Sequence, residues 1–240
     1  MGQDVCFTFD HTFDQDIQQS TLFEASVEEL LDNALNGYNA TVMCYGQTGS
    51  GKSIYLAYIQ YTYVNIICRF YAGKTYTMGT SMDTCDMTED MGIIPRAAFK
   101  LFEEISYRET QDNEYKYRIS IQFVEIYGDD IRDLLAPPTP FTTSNNTKLI
   151  LRETTAGDVT VVGAHEVPVH TSEALMTQLR SGIRQRVTAV TNMNQESSRS
   201  HGTSLIIFDT PLYLTYIYAY TCLYLYSNIH GSHRQVLHCC

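Results

Sequence analysis

Positive charge is scarce in this sequence. Sixteen lysines and arginines stand against 27 aspartates and glutamates in 240 residues, a formal net charge of -11. That sign is wrong for a surface meeting nucleic acid, anionic lipid or the acidic face of a microtubule unless a local basic patch supplies the contact. No Lys/Arg cluster does so. Arg180, Arg184 and Arg186 come nearest, and their spacing reads as a solvated helix face. No nucleic-acid partner is expected. Paired cysteine motifs are missing too: Cys6, Cys44, Cys68, Cys85, Cys222, Cys239 and Cys240 are scattered without a CxxC pair. Neither zinc nor a disulfide framework is indicated, and reduced cytosolic thiols are the simplest reading. The terminal Cys239-Cys240 is discounted as a prenylation signal. No basic-then-apolar leader opens the chain. Two nearly uncharged stretches, Ile54 to Ala72 and Thr210 to Ile229, have the length of a membrane span, about 20 residues. Both are rich in tyrosine, which prefers the membrane interface to its core, and the first carries Gln60, Asn65 and Arg69. A span is therefore not expected.

What remains is a globular composition, 44% hydrophobic and 18% charged. It suits one domain with a sizeable core, or one large domain cut short. Asp4 to Phe9 reads as a short strand. Thr21-Leu-Phe-Glu24 forms a capping box that opens an amphipathic helix through Leu22, Val27, Leu30, Leu31 and Leu35, stopped by Gly37. Ala40 to Tyr45 is a short apolar run, typical of a buried strand. Ile93 to Ile105 is a helix with Pro95 in its first turn, where a missing N–H costs nothing. Tyr115 to Tyr127 alternates like a strand. Ala136 to Asn146 is a loop, and Lys148 to Val169 holds two or three short strands. Ser172 caps a helix through Leu175, Leu179 and Ile183, and Ser204 to Phe208 is another buried strand. Strands mixed with helices give an α/β class.

Directly after the apolar run comes Gly46-Gln47-Thr48-Gly49-Ser50-Gly51-Lys52-Ser53, which matches G-x-x-x-x-G-K-[ST]. Glycines let successive backbone N–H groups turn inward around phosphate oxygens. The lysine reaches the β and γ phosphates, and the serine hydroxyl ligates Mg²⁺. A following helix would add its positive end. A chance glycine loop would lack the buried strand immediately upstream.

Here the sequence resembles the kinesin motor domain. Gly37 through Gly51 is similar to the motor core, and Lys74-Thr75-Tyr76-Thr-Met-Gly79 to its continuation. Phe9-Asp-His-Thr-Phe-Asp14 is similar to the stretch before the first helix. Glu125-Ile-Tyr-Gly-Asp-Asp-Ile-Arg-Asp-Leu-Leu135 resembles the central strand and turn, with Gly128 where the family usually has asparagine. Gly92-Ile-Ile-Pro-Arg96 resembles the chromosome-associated and related branches. Asn194-Gln-Glu-Ser-Ser-Arg-Ser-His201 resembles the first switch loop. The resemblance implies that Asn194 contacts phosphate, that Ser197 and Ser198 close on the γ phosphate and Mg²⁺, and that Arg199 pairs with a second-switch glutamate. It also implies Lys74, Thr75 and Tyr76 as nucleotide contacts, with Ser53, Thr75 and Ser198 as candidate metal ligands. The implied cofactors are ATP and Mg²⁺, the implied partner is the microtubule, and the implied location is the cytoplasm and cytoskeleton.

The sequence also departs from that pattern. Gly51-Lys52-Ser53 is followed, after an apolar stretch, by a second copy, Gly73-Lys74-Thr75. Gly-Lys-Ser can encode GGT-AAG-T, a splice donor, and Phe-Tyr-Ala-Gly can encode TTTTATGCAGG, an acceptor. An in-frame insert at 52–73 is therefore expected, with apolar side chains that have no partner surface. Nothing matches the family's first strand with its adenine contact, its Asp-Leu-Ala-Gly second switch or its basic microtubule-facing loops. The expectation is an incomplete kinesin motor fold, a P-loop NTPase-type mixed sheet flanked by helices. Residues 1–208 would form the partial motor domain and 209–240 a non-family tail, unstructured or non-native.

Overall fold

The computed structural model describes residues 11–14, 17–46, 53–59, 65–70, 74–79, 88–127, 130–137, 149–153, 159–192, 200–211 and 214–223. The strand expected at Asp4 to Phe9 and most of the expected loop at Ala136 to Asn146 lie outside them. The first strand, β1 (His11–Phe13), precedes a broken helix, α1 (Gln19–Ser26) and α2 (Glu28–Ala34). The helix begins two residues before Thr21, at Gln19, with no side-chain cap. The capping box is thus inside the helix. Gln19 is almost fully buried and its Nε2 donates to the Tyr76 carbonyl at 2.9 Å, so a tertiary contact sets the start. Gly37, with φ 99°, ends the unit as its sequence suggests.

The phosphate-loop strand is β2 (Ala40–Gly46). Next come β3 (Ser53–Ile59), β4 (Asn65–Phe70), a short helix α3 (Lys74–Met78) and the long helix α4 (Ile93–Gln111). The chain continues through β5 (Arg118–Tyr127), β6 (Asp130–Asp133), β7 (Ile150–Glu153), β8 (Val159–Val162) and β9 (Val167–Pro168). Helix α5 (Ser172–Asn192), β10 (Ser200–Asp209) and β11 (Leu214–Leu223) complete it. Ser172 is the first helical residue; the Thr171 hydroxyl accepts from Ala174 N–H at 3.0 Å and is the cap.

A nine-stranded mixed sheet runs β1-β4-β3-β2-β11-β10-β5-β6, with β9 also on β5; β7 and β8 form a separate pair. Two stretches depart from expectation. The insert is not left without a partner: β3 pairs antiparallel with β2 and with β4, and β4 pairs parallel with β1. The tail is not unstructured over Leu214–Leu223: β11 lies parallel to β2 and antiparallel to β10. Its register follows from alternation. Thr215, Ile217 and Ala219 face one way, opposite Phe208, Ile206 and Ser204 on β10. Ile217 also aligns with Ala40, and Ile206 with Ile121, so one cross-sheet row carries four apolar residues of the core. The helices close over this face: Leu22, Leu31, Leu35, Leu101, Ile105, Leu175 and Leu179 are all buried in the same cluster. Lys100 bridges to Glu28 at 2.9 Å, tying α4 to α2. The Arg108 guanidinium donates to the Leu35 carbonyl at 2.6 Å and to Asn36 Oδ1 at 3.0 Å, satisfying acceptors at the α2 C-terminus.

The fit of β11 is imperfect at one point. Thr215 is fully buried and its hydroxyl has no hydrogen-bond partner among the described residues. Thr215→Val should therefore stabilise the fold by about 1 kcal/mol, because a buried orphan hydroxyl carries an uncompensated desolvation cost. Ending the chain at Pro211 should abolish cooperative unfolding, because β2 and β10 then lose the ladder that joins them. Thermal denaturation of the three proteins checks both; a truncated chain with an unchanged transition would show β11 to be dispensable.

Candidate nucleotide site

The phosphate loop springs from the C-terminal end of β2, which finishes at Gly46. Gln47, Thr48, Gly49, Ser50, Gly51 and Lys52 lie outside the described residues, as do Asn194, Ser197, Ser198 and Arg199. The strands on which those two loops are mounted are described. Met43, Tyr220 and Thr203 share one row across β2, β11 and β10. Beyond that row, β2 runs on to Gly46, while β10 runs back to Ser200. The phosphate loop therefore leaves, and the 194–201 loop arrives, at the same end of the sheet. Two strand spacings separate their mounts, about 10 Å. Ligands of parallel α/β sheets bind outside the carboxyl ends of the strands, and Gly46 is such an end.

Ser53 does not begin a helix. It begins β3 and pairs with Phe70 on β4. The positive helix end expected directly after Lys52-Ser53 is absent because the chain enters a hairpin there. Helix formation resumes at Lys74, the first residue of α3, which also contains Thr75 and Tyr76. The hairpin leaves and returns at its Ser53/Phe70 base, and α3 starts at Lys74, four residues after Phe70.

Tyr76 has the fullest description of the expected nucleotide contacts. Its hydroxyl donates to Asp90 Oδ1 at 2.8 Å, and its carbonyl accepts from Gln19. Burial, then the hydrogen bond and charge of Asp90, push its phenol above the ordinary tyrosine value. The bond fixes the ring at one edge of α3. The loop before α4 is held in turn by Arg96, whose Nε donates to the Met91 carbonyl at 2.7 Å and whose Nη2 donates to those of Glu89 and Thr88 at 3.0 and 3.2 Å.

The seat of α3 depends on two glycines. Gly79 closes α3 with φ 78°, and a Cβ on Gly92 would meet Gly79 N at 2.3 Å and Gly79 Cα at 2.4 Å. Backbone touches backbone, so neither side can give way. The two motifs Lys74–Gly79 and Gly92–Arg96 are thus one packed joint. Sequence reading quoted both motifs without seeing that they meet, and it missed Gln19 and Asp90 altogether; the glycine at each motif's end was the available signal.

Among the described residues, no group of histidine, cysteine, aspartate and glutamate could hold a metal ion. No described helix is long and apolar enough to cross a membrane. Arg186, read from spacing as part of a solvated face, instead turns to the sheet and meets the buried Glu125 at 3.2 Å.

A strand ending in a glycine-rich phosphate loop, mounted beside a second loop on a mixed sheet, defines a P-loop NTPase-type α/β domain. The comparisons specify it further. The sequence model of the kinesin motor domain matches residues 1–58 and 69–211. The chain is 36% identical over 208 residues to the kinesin-like protein klp-12 of Caenorhabditis elegans, covering 84% of this chain and 11% of that protein. It is 35% identical over 207 residues to human kinesin-like protein KIF21B, again with 84% and 11% covered. Against the kinesin heavy chain of Neurospora crassa it is 39% identical over 201 residues, covering 83% and 18%. A solved structure of a fast kinesin superposes with a TM-score of 0.71 at 31% identity, over 95% of this chain and 57% of that one. The chain belongs to the kinesin motor domain family. It spans only between a tenth and a fifth of the length of these curated relatives.

The glycine joint makes a direct test. Gly92→Ala should cost about 3 kcal/mol, the upper range for overpacking, because the added methyl meets main chain and not a flexible side chain. Urea denaturation measures it; a cost within error of zero would mean that α3 and α4 separate freely.

Proposed function

We propose that this chain is the ATP-binding portion of a microtubule-based motor, whose reaction is Mg²⁺-dependent hydrolysis of ATP. The observation that supports this most is the common mounting of the two loops at one end of the sheet. The residue types suit the ligand. Gly46, Gly49 and Gly51 free backbone N–H groups for phosphate oxygens, and the hydroxyls of Ser53, Thr75 and Ser198 are hard oxygen donors of the kind Mg²⁺ takes. ATP and Mg²⁺ would supply the phosphoryl group and the charge neutralisation. The chain's part is to bind, orient and exclude water. Asn194, Ser197, Ser198 and Arg199 would meet the γ phosphate, and Tyr76 would bound the site on the α3 side. Microtubules are the partner and the cytoskeleton the location that family membership supports.

The hairpin alters which lysine does the work. Sequence reasoning favoured Lys52, since it directly follows the complete glycine loop. With Ser53 paired to Phe70, the hairpin projects from its base, and the lysine carried on a helix is Lys74. In this reading Gly46 to Gly51 supplies the anion-binding turn, while Lys74 and Thr75 supply the charge and the metal-facing hydroxyl. Lys74→Ala should weaken binding of a fluorescent ATP analogue by about tenfold or more, the scale of a lost charged hydrogen bond, with a smaller effect from Lys52→Ala. A larger loss at Lys52 would return the role to the first copy. Steady-state hydrolysis by the 240-residue chain, with and without microtubules, tests the motor reading. No stimulated turnover is expected, because these residues contain no Asp-Leu-Ala-Gly motif to partner Arg199. Stimulation would show that another segment provides that group.

A further inference from the structure

The carboxylate side chain of Glu125 is only 2% exposed, on β5, the strand next to the β6 edge, and its cross-strand neighbours are Gly202 and Arg132. Such a group persists only where it is paired and hydrogen-bonded. Arg186 on α5 provides the pairing, Nε to Oε1 at 3.2 Å, and Arg132 on β6 stands 4.0 Å from Oε2. Three features around this pair point to one purpose. Glu125 lies directly opposite Gly202, two residues into the described run of β10 from its start at Ser200. A Cβ on Gly202 would come within 3.1 Å of the Arg186 guanidinium, so the glycine leaves room for the guanidinium beside β10. A Cβ on Gly182, one turn earlier in α5, would overlap the Phe123 ring at 2.3 Å, so α5 sits as close to β5 as a helix can. Helix α5 leads into the 194–201 loop, and β10 leads out of it. The pair and the two glycines fasten both mounts of that loop to β5.

We infer that Glu125 and Arg186 are positioning residues for γ-phosphate recognition, with Gly202 as the space that admits the arginine. The inference rests on the reading of 194–201 as the γ-phosphate-sensing loop. The pair fixes where that loop starts and ends. Its strand is set apart from the one that carries the glycine loop: β11 and β10 stand between β5 and β2, about 15 Å by strand spacing. A purely structural brace would affect every nucleotide alike. A positioning pair affects the triphosphate and spares the diphosphate, since only the triphosphate reaches the sensing loop.

Affinities of the full chain for AMP-PNP and ADP, each with Mg²⁺, are compared for the parent, Glu125→Gln, Arg186→Lys and Gly202→Ala. Thermal melts run alongside identify any variant that fails to fold. The expected result is a loss of AMP-PNP affinity of about tenfold in each folded variant, the scale of one charged hydrogen bond, with ADP affinity unchanged within about twofold. Gly202→Ala keeps both charges and displaces only the guanidinium, so it remains informative if Glu125→Gln is too unstable to measure. Equal losses for both nucleotides would reduce the pair to a brace and overturn the inference. Unchanged AMP-PNP affinity in the folded variants would overturn it as well, while leaving the nucleotide site intact. A parent chain that binds neither nucleotide removes the nucleotide-site reading and this inference with it.

Discussion

The structure depends on keeping β2 hydrogen-bonded along both edges. That strand carries the phosphate loop, and Ala40, Val42 and Cys44 on it are buried. A buried strand with an unpaired edge leaves a row of orphan N–H and C=O groups in an apolar setting, each with a substantial desolvation cost. Both edges of β2 are filled. One is covered by β3, whose residues 53–58 fall within the family match, which breaks at 59–68. The other is covered by β11, which begins after that match ends at 211. Pairing is a backbone property, so a segment of the right length and alternation can take a slot whatever side chains it carries.

The difference between backbone and side chain matters most at β11. Its apolar alternation satisfies the packing requirement: Ile217 joins the row of Ala40, Ile206 and Ile121. Its chemistry is another matter. The strand runs parallel to β2 and reaches the level of Gly46 at Leu223, the end of the sheet at which the proposed nucleotide site lies. Not one of its residues from Leu214 to Leu223 is an aspartate or glutamate. In P-loop NTPases a carboxylate from the Walker B segment helps to hold Mg²⁺. Completion of the sheet and completion of the metal site are therefore separate matters in this chain, and β11 achieves the first alone.

Legibility in the sequence followed the range of the forces involved. Local signals were readable: the apolar run into a glycine loop gave β2, Pro95 in a first turn gave α4, and Gly37 marked the end of α2. Boundaries failed where a distant contact prevailed, as when Gln19 reached Tyr76 and carried the start of α1 past Thr21. Both stretches were read as tyrosine-rich; the first was expected to lack a partner surface and the second to be an unstructured or non-native tail. Strand partners lie far apart along the chain, and composition does not reveal which edge is vacant. The same holds for Glu125 and Arg186, separated by 61 residues. Each looked ordinary in its own segment. The motif residues were read from a spacing that phosphate chemistry dictates, and most of them lie outside the described residues.

That contrast bears on the stretch between the two Gly-Lys copies, where the family match breaks at 59–68. The β3–β4 hairpin lies along the chain between the end of β2 and the start of α3. Its own two ends are paired, Ser53 with Phe70, so it returns the chain close to where it departed. The closure cost of such an excursion grows only with the logarithm of its length, and the ladders to β2 and β1 offset it. A Gly-Lys-hydroxyl sequence waits at the far side of the hairpin. The hairpin thus separates the two Gly-Lys copies along the chain. What it displaces is the continuity from loop to helix. The helix now owes its placement to the Gly79–Gly92 joint and to the Tyr76–Asp90 and Gln19–Tyr76 bonds. Tertiary contacts have taken over a task that sequence adjacency performs where strand, loop and helix are continuous, and the site is as well ordered as those contacts make it.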